Sequence, residues 1–88
     1  MLSLKVKIFG KVQGVGLRGS FQRLASTYEM IGYIKNNEDG SVEFLLQNNF
    51  KNLDILLLEL QKVNPRIKIT KTTQEFLDYP KLSSFEIL

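Results

Sequence analysis

The segment Phe9-Gly10-Lys11-Val12-Gln13-Gly14-Val15-Gly16-Leu17-Arg18 ends an apolar alternation, passes through a glycine-spaced loop and delivers an arginine to the start of a helical pattern. Those residue types in that order suit recognition of a phosphate by the main chain. Glycines let the backbone turn tightly and bare its N–H groups, a helix start adds further unpaired donors, and an arginine grips the same anion through two parallel hydrogen bonds. An arginine sits poorly at a helix N-terminus on dipole grounds unless an anion joins it there. Further along, Asn36 closes a second short apolar run just before Asp39-Gly40. An asparagine there reads first as a turn former; beside the glycine loop it becomes a candidate site residue. The two features together suggest a function that neither suggests alone.

These residues need elements to hold them. Leu4, Val6 and Ile8 alternate with Lys5 and Lys7, the pattern of a half-buried strand. From Arg18 to about Tyr28, apolar Phe21, Leu24, Ala25 and Tyr28 recur at helical spacing. Ile31 to Lys35 and Val42 to Leu46 read as strands, joined by Asn37-Glu38-Asp39-Gly40, whose Asp-Gly pair tolerates positive φ and predicts a hairpin. Asn52 precedes a second helical repeat of Leu53, Leu56, Leu57, Leu60 and Val63. Asn64-Pro65 ends that repeat, because a residue before proline is pushed out of the α region. Ile67 to Thr73 reads as a lysine-bearing strand. Gln74 to Ser84 lacks periodicity and reads as a loop, and Phe85 to Leu88 could add a short last strand. The expected fold is α+β: a ferredoxin-like split βαβ sandwich, βαββαβ, with an antiparallel sheet and two helices on one face. One domain is expected over residues 1–88.

Composition narrows the chemistry. With 88 residues the chain can bury roughly 60–68% of its unfolded surface, enough for one modest core. The sequence has no cysteine and no histidine, so thiolate sites, disulfides and the commonest general base are all missing. A formal net charge of +3 suits anionic ligands, but the basic residues are scattered and do not demand nucleic acid. Charges interrupt the first residues too early for a signal-peptide core, and Ile55-Leu56-Leu57-Leu58 is far too short to span a bilayer. A soluble cytoplasmic protein without a membrane partner is expected.

Gly14-Val15-Gly16-Leu17-Arg18-Gly19 matches G-x-G-x-x-G, and Asp39 lies at about the distance of a ribose-binding acid. Asp39, however, lies in a hairpin turn rather than at the end of a parallel strand, and the chain is too short for a doubly wound sheet. The dinucleotide reading fails on that context. The sequence instead resembles the acylphosphatase family. Gly10-Lys11-Val12-Gln13-Gly14-Val15-Gly16-Leu17-Arg18 matches the family signature G-x-V-Q-G-V-x-F-R. Gly32-Tyr33-Ile34-Lys35-Asn36-Asn37-Glu38-Asp39-Gly40-Ser41-Val42-Glu43 matches its second block, and Phe85-Glu86-Ile87 its F-x-I ending.

The resemblance implies hydrolysis of an acyl phosphate to a carboxylate and inorganic phosphate. Backbone N–H groups of Gln13, Gly14, Val15, Gly16, Leu17 and Arg18 would wrap the phosphoryl oxygens. Arg18 would neutralise charge, and the Asn36 carboxamide would hold the attacking water in line. Neither cofactor nor metal is implied, and a monomer is expected. Such a site works by positioning and electrostatics, which a chain without histidine or cysteine can still supply. Three departures from the family pattern stand out: Leu17 replaces an aromatic or methionine, Gly19 weakens the first helical turn, and Glu29 falls where a helix-ending glycine is usual. A non-catalytic phosphate- or carbamoyl-phosphate-binding module on the same scaffold is the alternative. An RNA-recognition domain shares the architecture, but Val42-Glu43-Phe44-Leu45-Leu46 lacks its stacking aromatics.

Overall fold

The computed structural model describes residues 1–88. Strand β1 (Leu2–Lys11) leads to helix α1 (Leu17–Thr27), then to β2 (Gly32–Asn36) and β3 (Val42–Leu46). A 3-10 turn (Phe50–Asn52) precedes α2 (Leu53–Val63), after which come β4 (Lys68–Asp78) and β5 (Phe85–Ile87). The strands form one five-stranded sheet in the order β4-β1-β3-β2-β5. This is the expected ferredoxin-like α+β sandwich.

Register decides which side chains meet. Leu4, Val6 and Ile8 pair with Leu46, Phe44 and Val42, and Ile34 and Asn36 of β2 pair with Phe44 and Val42. Successive side chains alternate across a sheet, so all of these share one face. Both helices cover that face. Phe21 of α1 and Leu56 and Leu60 of α2 join Val6, Ile8, Ile34 and Phe44 in one buried cluster. The Phe21 and Phe44 rings lie 4.5 Å apart, and burying each such side chain stabilises the fold by about 1.5–3 kcal/mol. Asn36 is the last residue on this inward-facing row, so it emerges at the end of the sheet beneath the start of α1.

Two expectations need correction. The stretch Gln74 to Ser84 is not a loop throughout, because β4 continues to Asp78. The long β1 offers backbone partners from Lys11, opposite Lys68, down to Leu2, opposite Asp78. Pairing with that template extends the strand, while its position at the sheet edge leaves most of its side chains exposed, so the part beyond Thr73 shows no alternation in the sequence. Nor is the sheet wholly antiparallel, since β5 runs parallel to β2. Asp78 ends β4 beside Leu2, at the end of the sheet where β2 begins. A strand that starts from there must run in the same direction as β2.

Residues 79–84 strap the face opposite the helices. The Gln47 side chain donates to the Pro80 carbonyl and accepts from the Leu82 N–H at 3.0 and 2.8 Å. Beneath the strap, the Tyr33 hydroxyl donates to Glu43 Oε2 at 2.5 Å. Burial, then that bond, pushes the Tyr33 hydroxyl well above the ordinary tyrosine value. Tyr33 therefore packs on the side of the sheet away from the glycine loop. No helix is long and apolar enough to cross a membrane.

Helix α1 ends in a Schellman motif: Met30 N–H bonds to the Ala25 carbonyl at 2.8 Å and Glu29 N–H to that of Ser26 at 3.1 Å. The motif needs a left-handed residue, and Glu29 supplies it at φ 53°. A Cβ in that conformation costs roughly 1–2 kcal/mol. Relief of this strain, offset in part by the extra freedom of glycine in the unfolded chain, gives an expected stabilisation of about 0.5–1 kcal/mol for Glu29→Gly. Urea denaturation of the variant beside wild type measures it.

Candidate active site

The site begins where β1 leaves the sheet. Pairing between β1 and β4 shifts register between Phe9 and Gly10, and such an irregularity bends a strand and re-aims the residues beyond it. The chain then turns through Val12 to Gly16. Gly14 and Gly16 adopt φ of 73° and 76°, left-handed conformations that L side chains resist. Gly16 is the N-cap of α1. It has no side chain to cap the helix, and the first turn holds no acidic residue. The opening N–H groups of α1 therefore point outward with the positive end of the helix dipole behind them.

A hollow of about 170 Å³ opens at this point, lined by Val12, Gln13, Gly14, Gly16, Leu17, Arg18, Gly19 and Asn36. At about 30 Å³ per water, it has room for a phosphoryl group with a water beside it. Arg18, from the first turn of α1, and Asn36, from the end of β2, thus border one space although they come from different elements. Both are exposed and free to meet a ligand. Two larger hollows, of about 280 and 270 Å³, lie elsewhere. The first sits over Lys5 and Glu75, which already pair at 3.1 Å, and the second lies between Phe50 and Phe76. Neither gathers loop amides around a common point.

The expected site residues divide into distinct kinds. Gly14, Gly16, Arg18 and Asn36 line the hollow. Leu17 lines it too, with its side chain buried in the core. That apolar anchorage explains why leucine is accommodated there. Val15 does not line the hollow: its side chain is buried in the core, and its carbonyl is taken by Asn64 and Arg66. Gln13 also lines the hollow, and its side chain donates from Nε2 to the carbonyls of Asn37 and Ser41 at 2.8 and 2.9 Å. One carboxamide thereby ties the loop to the hairpin that carries Asn36. The hairpin is stiffened in turn by Asp39, whose Oδ1 accepts from the Ser41 N–H and hydroxyl at 2.9 and 2.6 Å. Those bonds hold the Asp39 carboxyl below the ordinary carboxylate value, so Asp39 acts as a turn acceptor.

Sequence reasoning missed Val12 and Gly19 as lining residues and missed Asn64 and Arg66 altogether. The Asn64-Pro65 pair signals a helix end and carries no sign of the loop far away in sequence.

A small α+β sandwich with a glycine loop, a helix start, an arginine and an asparagine around one anion-sized hollow defines a class of phosphate-handling protein. A family model described as Acylphosphatase matches residues 4–87. An acylphosphatase of Clostridium acetobutylicum is 44% identical over 64 residues, 73% of this chain and 70% of that protein. One from Oceanobacillus iheyensis is 33% identical over 99% of this chain and 98% of its own. The crystal structure of acylphosphatase from Bacillus subtilis superposes with a TM-score of 0.84 at 28% identity, covering 100% of this chain and 99% of that one. The chain belongs to the acylphosphatase family.

Gln13→Ala removes both bonds between loop and hairpin. The expected cost is about 1–2 kcal/mol of stability, measured by denaturant unfolding, with a fall in affinity for inorganic phosphate measured by calorimetric titration.

Proposed function

We propose that this protein is an acylphosphatase whose chemistry is carried by Arg18, Asn36 and the loop amides from Gln13 to Arg18. The observation that carries this reading is the convergence of Arg18, Asn36 and the loop backbone on one hollow. Phosphoryl transfer demands little covalent work from the protein. It needs charge on the equatorial oxygens compensated and the nucleophile held in line. The main-chain N–H groups of the loop and of the first turn of α1 supply fixed dipoles, which stabilise developing charge without having to reorganise. The Arg18 guanidinium supplies a full positive charge and a bidentate fork. Asn36, across the hollow, can accept a hydrogen bond from water through its carbonyl oxygen and so orient that water toward phosphorus.

The bond changes are simple. The water oxygen forms a bond to phosphorus as the bond from phosphorus to the acyl oxygen breaks. The electron pair leaves with the carboxylate, and the water proton passes to phosphate oxygen or solvent. A carboxylate is a stable anion, so the leaving group needs no strong general acid. Nothing in this scheme calls on histidine, cysteine or a bound metal. The same proposal includes one catalytic domain over residues 1–88, a small-molecule substrate, and a cytoplasmic, monomeric enzyme. Absence of cysteine is in keeping with a reducing compartment.

Benzoyl phosphate hydrolysis tests the proposal. Arg18→Ala and Asn36→Ala are each expected to lower kcat/KM by at least ~10²–10³-fold, the scale of losing one preorganised electrostatic group. Both residues are exposed, so circular dichroism should show an unchanged fold; wild-type turnover in either variant would refute the assignment. Turnover is also expected to persist with excess chelator, and its loss there would contradict a scheme that uses no metal. Phosphate binding without hydrolysis would favour a non-catalytic binding module instead.

A further inference from the structure

The glycine loop is held from a second side by the junction between α2 and β4. Asn64 Nδ2 donates to the Val15 carbonyl at 2.7 Å and to the Ser20 hydroxyl at 3.3 Å. Its Oδ1 accepts the Arg66 N–H at 3.3 Å, which fixes the orientation of the amide. The Arg66 guanidinium donates to the same Val15 carbonyl at 2.9 Å. Two side chains thus converge on one main-chain oxygen, and one of them is charged.

That oxygen belongs to the peptide unit whose nitrogen is Gly16. A peptide bond is planar and trans, so its C=O and N–H point in opposite directions. Holding the Val15 carbonyl toward Asn64 and Arg66 therefore aims the Gly16 N–H the other way, and Gly16 borders the hollow. Both donors lie beside Gly16: a Cβ there would be in ordinary contact with them, 3.4 Å from the Arg66 guanidinium and 3.7 Å from Asn64 Nδ2. Donation to the carbonyl also draws electron density through the amide and makes its N–H a stronger donor, the usual cooperativity of linked hydrogen bonds.

We infer that Asn64 and Arg66 are positioning residues of the phosphate loop, acting through the Val15–Gly16 peptide to aim and polarise the Gly16 N–H. Neither residue lines the hollow, so neither is catalytic. Arg66 lies outside the helices and strands, and its side chain is not packed in the core. A role in folding alone would leave phosphate affinity untouched. This inference rests on the reading of the hollow as a phosphoryl site, but its test does not require turnover.

The experiment compares wild type with Asn64→Ala, Arg66→Met and Arg66→Lys. The first readout is the Gly16 amide resonance, measured by NMR without ligand. It should move when either donor is lost and move less in Arg66→Lys, which keeps a charge and one donor. The second is calorimetric titration with inorganic phosphate. Affinity should weaken roughly 3–10-fold in Asn64→Ala and Arg66→Met, the scale of one net hydrogen bond, and recover in part in Arg66→Lys. An unmoved Gly16 resonance, or wild-type phosphate affinity in both Asn64→Ala and Arg66→Met, overturns the inference even if melting temperatures fall. If the wild-type protein binds phosphate but does not cleave an acyl phosphate, the hydrolytic reading fails and these comparisons still decide the clamp.

Discussion

A peptide N–H can bind an anion only if the plane that carries it is fixed, because main-chain dipoles have no side-chain torsions to aim them. Much of this structure bears on that constraint. The loop from Val12 to Gly16 has no regular hydrogen-bonded ladder of its own. It is held by its neighbours: Gln13 ties it to the β2–β3 hairpin, Asn64 and Arg66 seize the Val15 carbonyl, and the side chains of Val12, Val15 and Leu17 are sunk in the core. Polar bonds pull from two directions while apolar anchors pull inward. What remains facing out is backbone, with Arg18 beside it.

The fold explains why these ties reach. β1 lies inside the sheet with β3 on one side and β4 on the other, so the loop leaving β1 rises between the hairpin that precedes β3 and the junction that precedes β4. Alternation along β2 then brings Asn36 to the helix-covered face at the same end. A split βαβ topology places three separate chain segments around one point with little conformational cost beyond folding itself. Strain is accepted elsewhere, at Glu29, where the end of α1 demands a left-handed residue and the sequence supplies one with a side chain.

Local signals carried much of the architecture. The alternation in β1, the helical spacing of Phe21, Leu24 and Ala25, the Asp39-Gly40 turn and the stop at Asn64-Pro65 all correspond to observed elements, because each reports on its own backbone. The extension of β4 and the parallel placement of β5 were not legible. Both arise from pairing with distant strands, and an edge strand exposed on most of its length leaves no periodic trace. The polar roles of Gln13, Asn64 and Arg66 were hidden for the same reason: a hydrogen-bond partner far away in sequence leaves no mark in the local pattern.

By itself, then, the sequence determined which residues the glycine-spaced loop carries up to Arg18 and that Asn36 closes a short strand before a turn, since residue type and spacing along one strand or turn are local properties. Tertiary structure alone decided that Arg18 and Asn36 share one hollow, that Val15 turns inward while Gly16 borders the hollow, and that a carboxamide and a guanidinium from the α2–β4 junction hold the carbonyl of the peptide between them. Those are facts about approach in space, and approach is set by the packing of the whole sheet against its helices.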